Sequence, residues 1–140
     1  MTPAELMDRA RLAMTHSYSP YSGFQVGAAL LCSDGTVYEG TNIENASYTP
    51  TVCAERTAFF KAIYDGHRDF TAIAVCGGKD GVISGFFPPC GVCRQVMGEV
   101  CSPDFAVYMI GPENTFRKVT LSQLLPFSFS GKEHMGMETK

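Results

Sequence analysis

The hydrophobic positions along the chain predict a series of short strands. Continuous apolar runs at 24–32 and 70–76 predict buried strands, and a shorter run at 106–110 predicts a third. Residues 36–41 and 117–120 predict partner strands, each reached through a glycine-containing turn. Because helical patterns alternate with these strands, the sequence predicts an α/β fold, a three-layer α/β/α domain with a mixed sheet of about five strands.

Four segments carry helical signals. Thr2-Pro3-Ala4-Glu5 combines an N-cap residue, a proline at the first helical position and a glutamate at the third, which predicts a helix to about His16. Residues 54–64 form an apolar, alanine-rich run that ends before a glycine, and residues 94–100 predict another helix. A short helix is expected at 121–125. These helices supply the outer layers of the predicted domain.

Length and composition indicate one small globular protein. A chain of 140 residues with 45% hydrophobic and 18% charged residues is long enough for a single core, so we expect one domain over 1–131 and a flexible tail over 132–140. The formal net charge is −3, and Lys and Arg form no run longer than a pair, which argues against a nucleic-acid partner. Without an apolar transmembrane stretch or a signal peptide, we expect a cytoplasmic protein with no membrane partner.

Three of the six cysteines have the spacing of a metal site. Cys53 stands alone, and Cys90 and Cys93 form a C-x-x-C pair. Three thiolates can hold Zn²⁺ and leave the fourth tetrahedral position for water or substrate. Glu55 follows the first cysteine by two residues, so at the start of a helix its carboxylate would lie beside the metal and could shuttle protons. Helix N-termini also favour the thiolate form that binds metal.

Two alternatives to an open metal site stay available. Six cysteines could form disulfides in a secreted chain, although the absence of a signal peptide favours the metal. The zinc could also be structural and closed by a fourth ligand, but no other histidine or cysteine has motif spacing to the cluster. Cys32, Cys76 and Cys101 lie among apolar neighbours, and we expect them to be inert core thiols.

The motifs resemble a known family. Cys-Ala-Glu-Arg at 53–56 followed by Pro-Cys-Gly-Val-Cys-Arg-Gln at 89–95 is similar to the small zinc-dependent cytidine deaminases, and the likeness extends through 18–27, 40–48 and 124–129. It implies a cytidine-deaminase-like domain with one Zn²⁺ per chain, typically a homotetramer. The implied reaction is hydrolytic deamination of cytidine and deoxycytidine to uridine and deoxyuridine, in pyrimidine salvage.

The resemblance also implies roles for individual residues. Glu55 would be the catalytic proton shuttle, and Arg56 would donate to the ligand sulfurs and restore acidity to the metal. Asn42 and Glu44 match residues that hydrogen-bond the ribose. The remaining substrate-binding positions implied are Phe24, which packs on the base, the backbone of Ala54, which contacts the base edge, and Tyr48 and Phe129, which reach into a neighbouring subunit's site.

Other functions fit parts of the same pattern. A deaminase of another aminopyrimidine, such as a blasticidin-type antibiotic, shares the zinc motif, although Phe24 and the Asn42-x-Glu44 pair favour a nucleoside. A polynucleotide deaminase conflicts with the acidic balance, and a non-catalytic zinc module would not need Glu55. Two features depart from the family pattern: Pro50, in the loop before the first ligand, and the long 77–89 connection with its Phe86-Phe87 pair.

Overall fold

Five strands form one mixed sheet in the computed structural model, which describes residues 1–137. The sheet order is β2-β1-β3-β4-β5; β3 and β4 run parallel, and the other neighbouring pairs are antiparallel. The strands are β1 (Phe24–Cys32), β2 (Val37–Thr41), β3 (Phe70–Lys79), β4 (Ala106–Ile110) and β5 (Phe116–Thr120).

Helices cover both faces of this sheet. One face packs against the first helix through a cluster that includes Leu6, Ala10 and Ala74, and the other face packs against the second and third helices through Phe59, Ile73 and Met97. This arrangement confirms the predicted three-layer α/β/α fold. The helices are α1 (Pro3–Ala13), α2 (Ala54–Tyr64), α3 (Gly91–Val100), α4 (Leu121–Leu124) and α5 (Gly131–His134), with 3₁₀ turns at Met14–His16 and Pro112–Asn114.

A glycine in β2 sets the position of α2. A Cβ atom at Gly40 would lie 2.2 Å from the Ala54 carbonyl oxygen and 2.6 Å from the Ala58 nitrogen, so only glycine lets the first turn of α2 lie this close to the strand. Thr57 fixes the same contact from the helix side, because its hydroxyl donates to the carbonyl of Thr41 at 3.0 Å. The start of α2 is therefore held against the sheet.

Several predicted boundaries differ from the structure by one to three residues. β3 continues three residues beyond the predicted end at residue 76, because 77–79 keep pairing with the first residues of β1. α3 begins at Gly91 instead of Arg94, since Cys90 has extended backbone angles and serves as the N-cap. The first helix ends as α-helix at Ala13 and tightens into a 3₁₀ turn up to His16, the predicted end.

The carboxyl-terminal segment contains a helical turn. α5 covers part of the tail predicted for 132–140, and the side chain of Ser130 caps it by accepting from the Glu133 amide. Residues 138–140 of that predicted tail lie outside the described residues. Within residues 1–137, no helix has both the length and the apolar composition required to cross a membrane.

Candidate active site

The three motif cysteines converge at the starts of two helices. Cys53 is the N-cap of α2, Cys90 is the N-cap of α3, and Cys93 is the third residue of α3. The Cys53 and Cys90 sulfurs are 3.6 Å apart, and the Cys90 and Cys93 sulfurs are also 3.6 Å apart. All three cysteines are free of disulfides, so the predicted ligand set is assembled in one place.

The sulfur spacing fits tetrahedral zinc. Zn–S bonds of about 2.3 Å at tetrahedral angles separate neighbouring sulfurs by roughly 3.8 Å, close to the separations found here. The first-turn N–H groups of α2 and α3 also face this region, and their partial positive charge favours thiolates. The chain therefore brings three thiols close enough together to hold Zn²⁺.

The thiols of Cys53 and Cys93 have shifted pKa values, in opposite directions. The Cys93 thiol donates to the Cys53 sulfur, and this contact, with further donation from Arg56 and Cys90, lowers the pKa of Cys53 to about 5. The same contact with Cys53, followed by burial, raises the pKa of Cys93. The first thiolate thus forms at Cys53, and zinc binding must displace the remaining protons.

Arg56 supplies positive charge beside the sulfurs. Its Nη2 atom lies 3.4 Å from the Cys53 sulfur, as expected for a guanidinium that donates to a ligand. Its Nε atom is buried and has no hydrogen-bond partner among residues 1–137. The side chain is therefore held by its contacts with the thiols.

Glu55 is a buried carboxyl group next to the metal ligands. It is the second residue of α2 and only 2% exposed. Burial raises the pKa of Glu55 to about 7, and the negative charge of Cys53 adds to the effect. A carboxyl group with this pKa can both take up and release a proton near neutral pH.

The loop before α2 is tied to the metal site by backbone pairing. Ile43 and Val52 exchange both backbone hydrogen bonds, at 3.0 and 2.9 Å. Val52 directly precedes Cys53, so the pairing brings Asn42 and Glu44 close to the first ligand. Pro50 lies in the exposed turn between the paired residues Ile43 and Val52, and it does not interrupt their pairing.

The orientation of the Asn42 amide is fixed by the backbone around it. Its Oδ1 atom accepts from the Val26 amide at 3.0 Å and from the Ser17 hydroxyl at 2.6 Å, and its Nδ2 atom donates to the Phe24 carbonyl at 2.9 Å. A flipped amide would face its nitrogen toward an N–H donor. One Nδ2 hydrogen is left over, so Asn42 can offer a donor to a ligand.

Glu44 is held as an acceptor. It accepts hydrogen bonds from the backbone amides of Tyr21 and Ser22, at 3.0 and 3.1 Å, and from the Ser22 hydroxyl. The Ser22 hydroxyl, with the two amides, lowers the pKa of this carboxyl group. Glu44 therefore stays ionised at neutral pH and keeps acceptor capacity for a ligand.

The other predicted substrate contacts occupy different environments. Ala54 is buried at the first position of α2, and Phe24 is partly exposed at the start of β1 with the Lys79 ammonium 5.6 Å from its ring centroid. Tyr48 and Phe129 are 75% and 55% exposed, and Phe129 stacks on His134 with 5.2 Å between ring centroids. Within the described chain, these two aromatic residues are surface groups.

Three polar residues support the site and were missing from the sequence prediction. Ser17 and Ser22 hold Asn42 and Glu44, and Arg94 donates from α3 to the carbonyl of Pro89, next to the C-x-x-C pair. The serines lie in a segment whose Ser, Pro and Gly content predicts only a loop. Nothing in the sequence pattern indicates which loop hydroxyl reaches which side chain.

The fold and the site together define a zinc-dependent deaminase: three thiolates and a buried glutamate at helix N-termini, on an α/β/α domain. Residues 1–109 match the family model described as the cytidine and deoxycytidylate deaminase zinc-binding region. The chain belongs to this family.

Several relatives and solved structures match nearly the whole chain. The chain is 46% identical to a cytidine deaminase of Sporosarcina psychrophila, with 95% of each chain covered, and 49% identical to one of Halalkalibacterium halodurans, with 91% of this chain and 94% of the relative covered. A crystal structure of cytidine deaminase from Burkholderia pseudomallei superposes with a TM-score of 0.86 at 44% identity, and the match covers 92% of this chain and all of that one.

Proposed function

We propose that the chain is a cytidine deaminase that hydrolyses the 4-amino group of cytidine and deoxycytidine, giving uridine or deoxyuridine and ammonia, as a step of pyrimidine salvage. The observation that carries this proposal is the pairing of Glu55, buried and half-protonated near pH 7, with three sulfurs at zinc-binding distances. The relatives that share 46% and 49% of their residues with this chain are cytidine deaminases, which supports the substrate class.

Cys53, Cys90 and Cys93 would hold one Zn²⁺, which when bound supplies the Lewis acidity that activates water for attack on C4 of the base. Three thiolates give the metal site a formal charge of −1, which weakens that acidity. Arg56 and the helix N–H groups draw electron density from the sulfurs and offset part of the loss.

Glu55 moves the protons of the reaction. Its carboxylate accepts one proton of the attacking water and delivers it to N3 of the cytosine ring. It then accepts the remaining proton from the new C4 hydroxyl group and delivers it to the amine, which leaves as ammonia while the C4 carbonyl forms. A pKa of about 7 balances these opposite tasks, because the group is neither a strong acid nor a strong base at the working pH. Its burial within the first turn of α2 keeps bulk water away from this exchange.

Asn42 and Glu44 together suit a hydroxyl group on the sugar. Asn42 offers one N–H donor and Glu44 offers a carboxylate acceptor. A single hydroxyl group can accept from the first and donate to the second. Because cytidine and deoxycytidine are both proposed substrates, the hydroxyl recognised is one that the two sugars share. Phe24 would pack on the base, and the backbone of Ala54 would hydrogen-bond its edge.

A homotetramer completes this proposal. Tyr48 and Phe129 are large aromatic side chains exposed in the single chain, and a neighbouring copy would use them to close its own site. We place the enzyme in the cytoplasm, since a catalytic metal site of three reduced thiols suits a reducing compartment.

The test measures the loss of cytidine absorbance by the wild type and by Glu55→Gln, with zinc content quantified in both. We expect Glu55→Gln to keep one zinc per chain and to lose at least about 10²- to 10⁴-fold in kcat, because a positioned acid/base contributes that much when it acts once. Glu99→Gln, at an exposed position on α3, is the matched control and should retain activity.

Two outcomes would overturn the proposal. A wild-type enzyme that binds one zinc but leaves cytidine unchanged would rule out cytidine as the substrate. It would favour another aminopyrimidine, such as a blasticidin-type antibiotic. Full activity in Glu55→Gln would remove the proton shuttle from the mechanism.

A further inference from the structure

The segment that leads into the C-x-x-C pair is fixed to the sheet by two phenylalanines. Phe87 lies over Gly77 near the end of β3, where an added Cβ atom would be 2.9 Å from the ring. Phe86 lies over Gly111, just after β4, where an added Cβ atom would be 2.7 Å from the ring. β3 and β4 are parallel neighbours, so both glycines stand at the carboxyl ends of strands on the same edge of the sheet.

Both rings have further partners. Phe87 packs against the core cluster on the α2 and α3 face of the sheet, and the Arg117 guanidinium lies 4.7 Å from the centroid of the Phe86 ring. Phe86 is 37% exposed, and the Arg117 guanidinium covers part of its ring on the solvent side. Two aromatic side chains thus occupy gaps that exist only because residues 77 and 111 lack side chains.

Only two residues separate Phe87 from the zinc ligand Cys90, and both are prolines. Each pyrrolidine ring fixes φ, so the chain between the ring of Phe87 and the sulfur of Cys90 has few rotatable bonds. Pro89 is buried, and its carbonyl accepts from Arg94 Nε at 2.8 Å. A shift of the Phe87 ring would therefore be transmitted to the sulfur.

We infer that Phe87, seated on Gly77, is a positioning residue for the zinc ligand Cys90, and that the Phe86–Gly111 contact steadies the same segment. The Cys53 and Cys90 sulfurs belong to different helices, yet they lie 3.6 Å apart. Ligands must be held to within about 0.5 Å for a metal site to form well. Because Pro88 and Pro89 are stiff, the position of the Cys90 sulfur depends on the position of the Phe87 ring. This inference rests on the proposed zinc site but not on the substrate, since zinc release is measured without nucleoside.

A size-swap cycle tests the inference in the zinc-loaded enzyme. Gly77→Ala adds a methyl group where the Phe87 ring lies, and we expect zinc release to a chromophoric chelator to accelerate by about tenfold or more, as when other groups that orient metal ligands are changed. Phe87→Leu removes part of the ring. In the double variant Gly77→Ala/Phe87→Leu the overlap is relieved, so zinc release should return most of the way to the rate of Phe87→Leu alone.

Gly85→Ala is the matched control. Gly85 lies in the same connection, and a Cβ atom there would meet nothing within 4 Å, so this variant should release zinc at the wild-type rate. Thermal unfolding of each variant is recorded beside zinc release, because a purely structural contact would lower the melting temperature and leave the zinc-release rate unchanged.

Three results would overturn the inference: wild-type zinc release in Gly77→Ala, a double variant that releases zinc as fast as Gly77→Ala, or an equal effect of Gly85→Ala. If Gly77→Ala does not fold, Phe87→Val carries the test, since the void left by the ring should also free Cys90 and speed zinc release. Unchanged zinc release in Phe87→Val would then reject the positioning role. A wild-type enzyme that holds zinc normally but does not turn over cytidine would contradict the proposed substrate and leave the positioning role of Phe87 unaffected.

Discussion

At the scale of single residues, the backbone decides what Asn42 can offer a ligand. The Val26 amide and the Phe24 carbonyl fix the side-chain amide in one orientation, and the Ser22 hydroxyl with the Tyr21 and Ser22 amides holds Glu44 as an anion. The sequence indicates both residues only through the family resemblance, because loop residues of these types are common. Their hydrogen-bonding capacity became evident only once their partners were known.

This donor–acceptor pair predicts a strict requirement for one sugar hydroxyl. Of 3′-deoxycytidine and 5′-deoxycytidine, one should lose roughly 10- to 100-fold in kcat/KM, because a donor and an acceptor are then left without a partner. Steady-state rates by absorbance measure this, with 2′-deoxycytidine as the reference. Equal rates for all three nucleosides would contradict the pairing of Asn42 and Glu44 with a hydroxyl.

The cysteines divide into two chemical classes. Burial raises the pKa of Cys32 and of Cys76 to about 11, and it also raises the pKa of Cys101. At pH 8 only about one part in a thousand of a thiol with pKa 11 is thiolate, so these residues should resist alkylation in the folded protein.

Iodoacetamide labelling followed by mass spectrometry checks this division. After chelation of the metal, we expect alkylation of Cys53 and the exposed Cys90, with Cys32 and Cys76 unmodified until the protein is denatured. Raising the pH toward 11 should increase labelling of the buried thiols, because their thiolate fraction then grows. Fast labelling of Cys32 at pH 8 would contradict the assignment as an inert core thiol.

At the scale of secondary-structure elements, the position of α2 depends on its close contact with β2. Gly40→Ala places a methyl group against the Ala54 carbonyl, and we expect a loss of about 1–3 kcal/mol in the free energy of unfolding, since extra volume strains a packed contact. Denaturant unfolding measures it, with Gly85→Ala as a control that adds the same methyl group in open space. An unchanged stability would show that α2 can shift without cost.

Elements were easier to predict than their ends. The apolar runs predicted three of the five strands, the glycine-containing turns predicted their two partner strands, and the cap at Thr2 predicted the start of the first helix. Hydrophobic patterns, turns and caps are all local signals. The extension of β3 to Lys79 depends on pairing with the start of β1, a non-local contact that the glycines at 77 and 78 conceal. The seating of Phe86 and Phe87 on glycines of other elements was hidden for the same reason.

At the scale of the whole molecule, the positions of the three cysteines and Glu55 follow from their spacing, whereas the proposed contribution of a neighbouring subunit cannot be read from a single chain. Cys53, Cys90 and Cys93 fall together as predicted, and the family assignment is confirmed by the match over residues 1–109. The roles of Tyr48 and Phe129 stay predictions, since one chain leaves both side chains exposed.

Subunit mixing tests the shared site. We expect Phe129→Ala to raise KM, because the neighbouring site loses an aromatic wall, and Glu55→Gln to be inactive. When the two variants are unfolded together and refolded, mixed oligomers contain sites with both wild-type residues, so activity should exceed the sum of the separately refolded variants. Additive activity, or an active species of 15.2 kDa by light scattering, would contradict a site built from two subunits.

The sulfurs of Cys53 and Cys90 are 37 residues apart in sequence, and the strand β3 lies between them. A metal that joins them acts as a reversible cross-link, and closing a loop of that size in the unfolded chain corresponds to about 4 kcal/mol of lost chain entropy. A chelator should therefore act on this protein as a reducing agent acts on a disulfide-bonded one. Zinc supply would then change the thermodynamic stability of the folded enzyme as well as its catalytic rate.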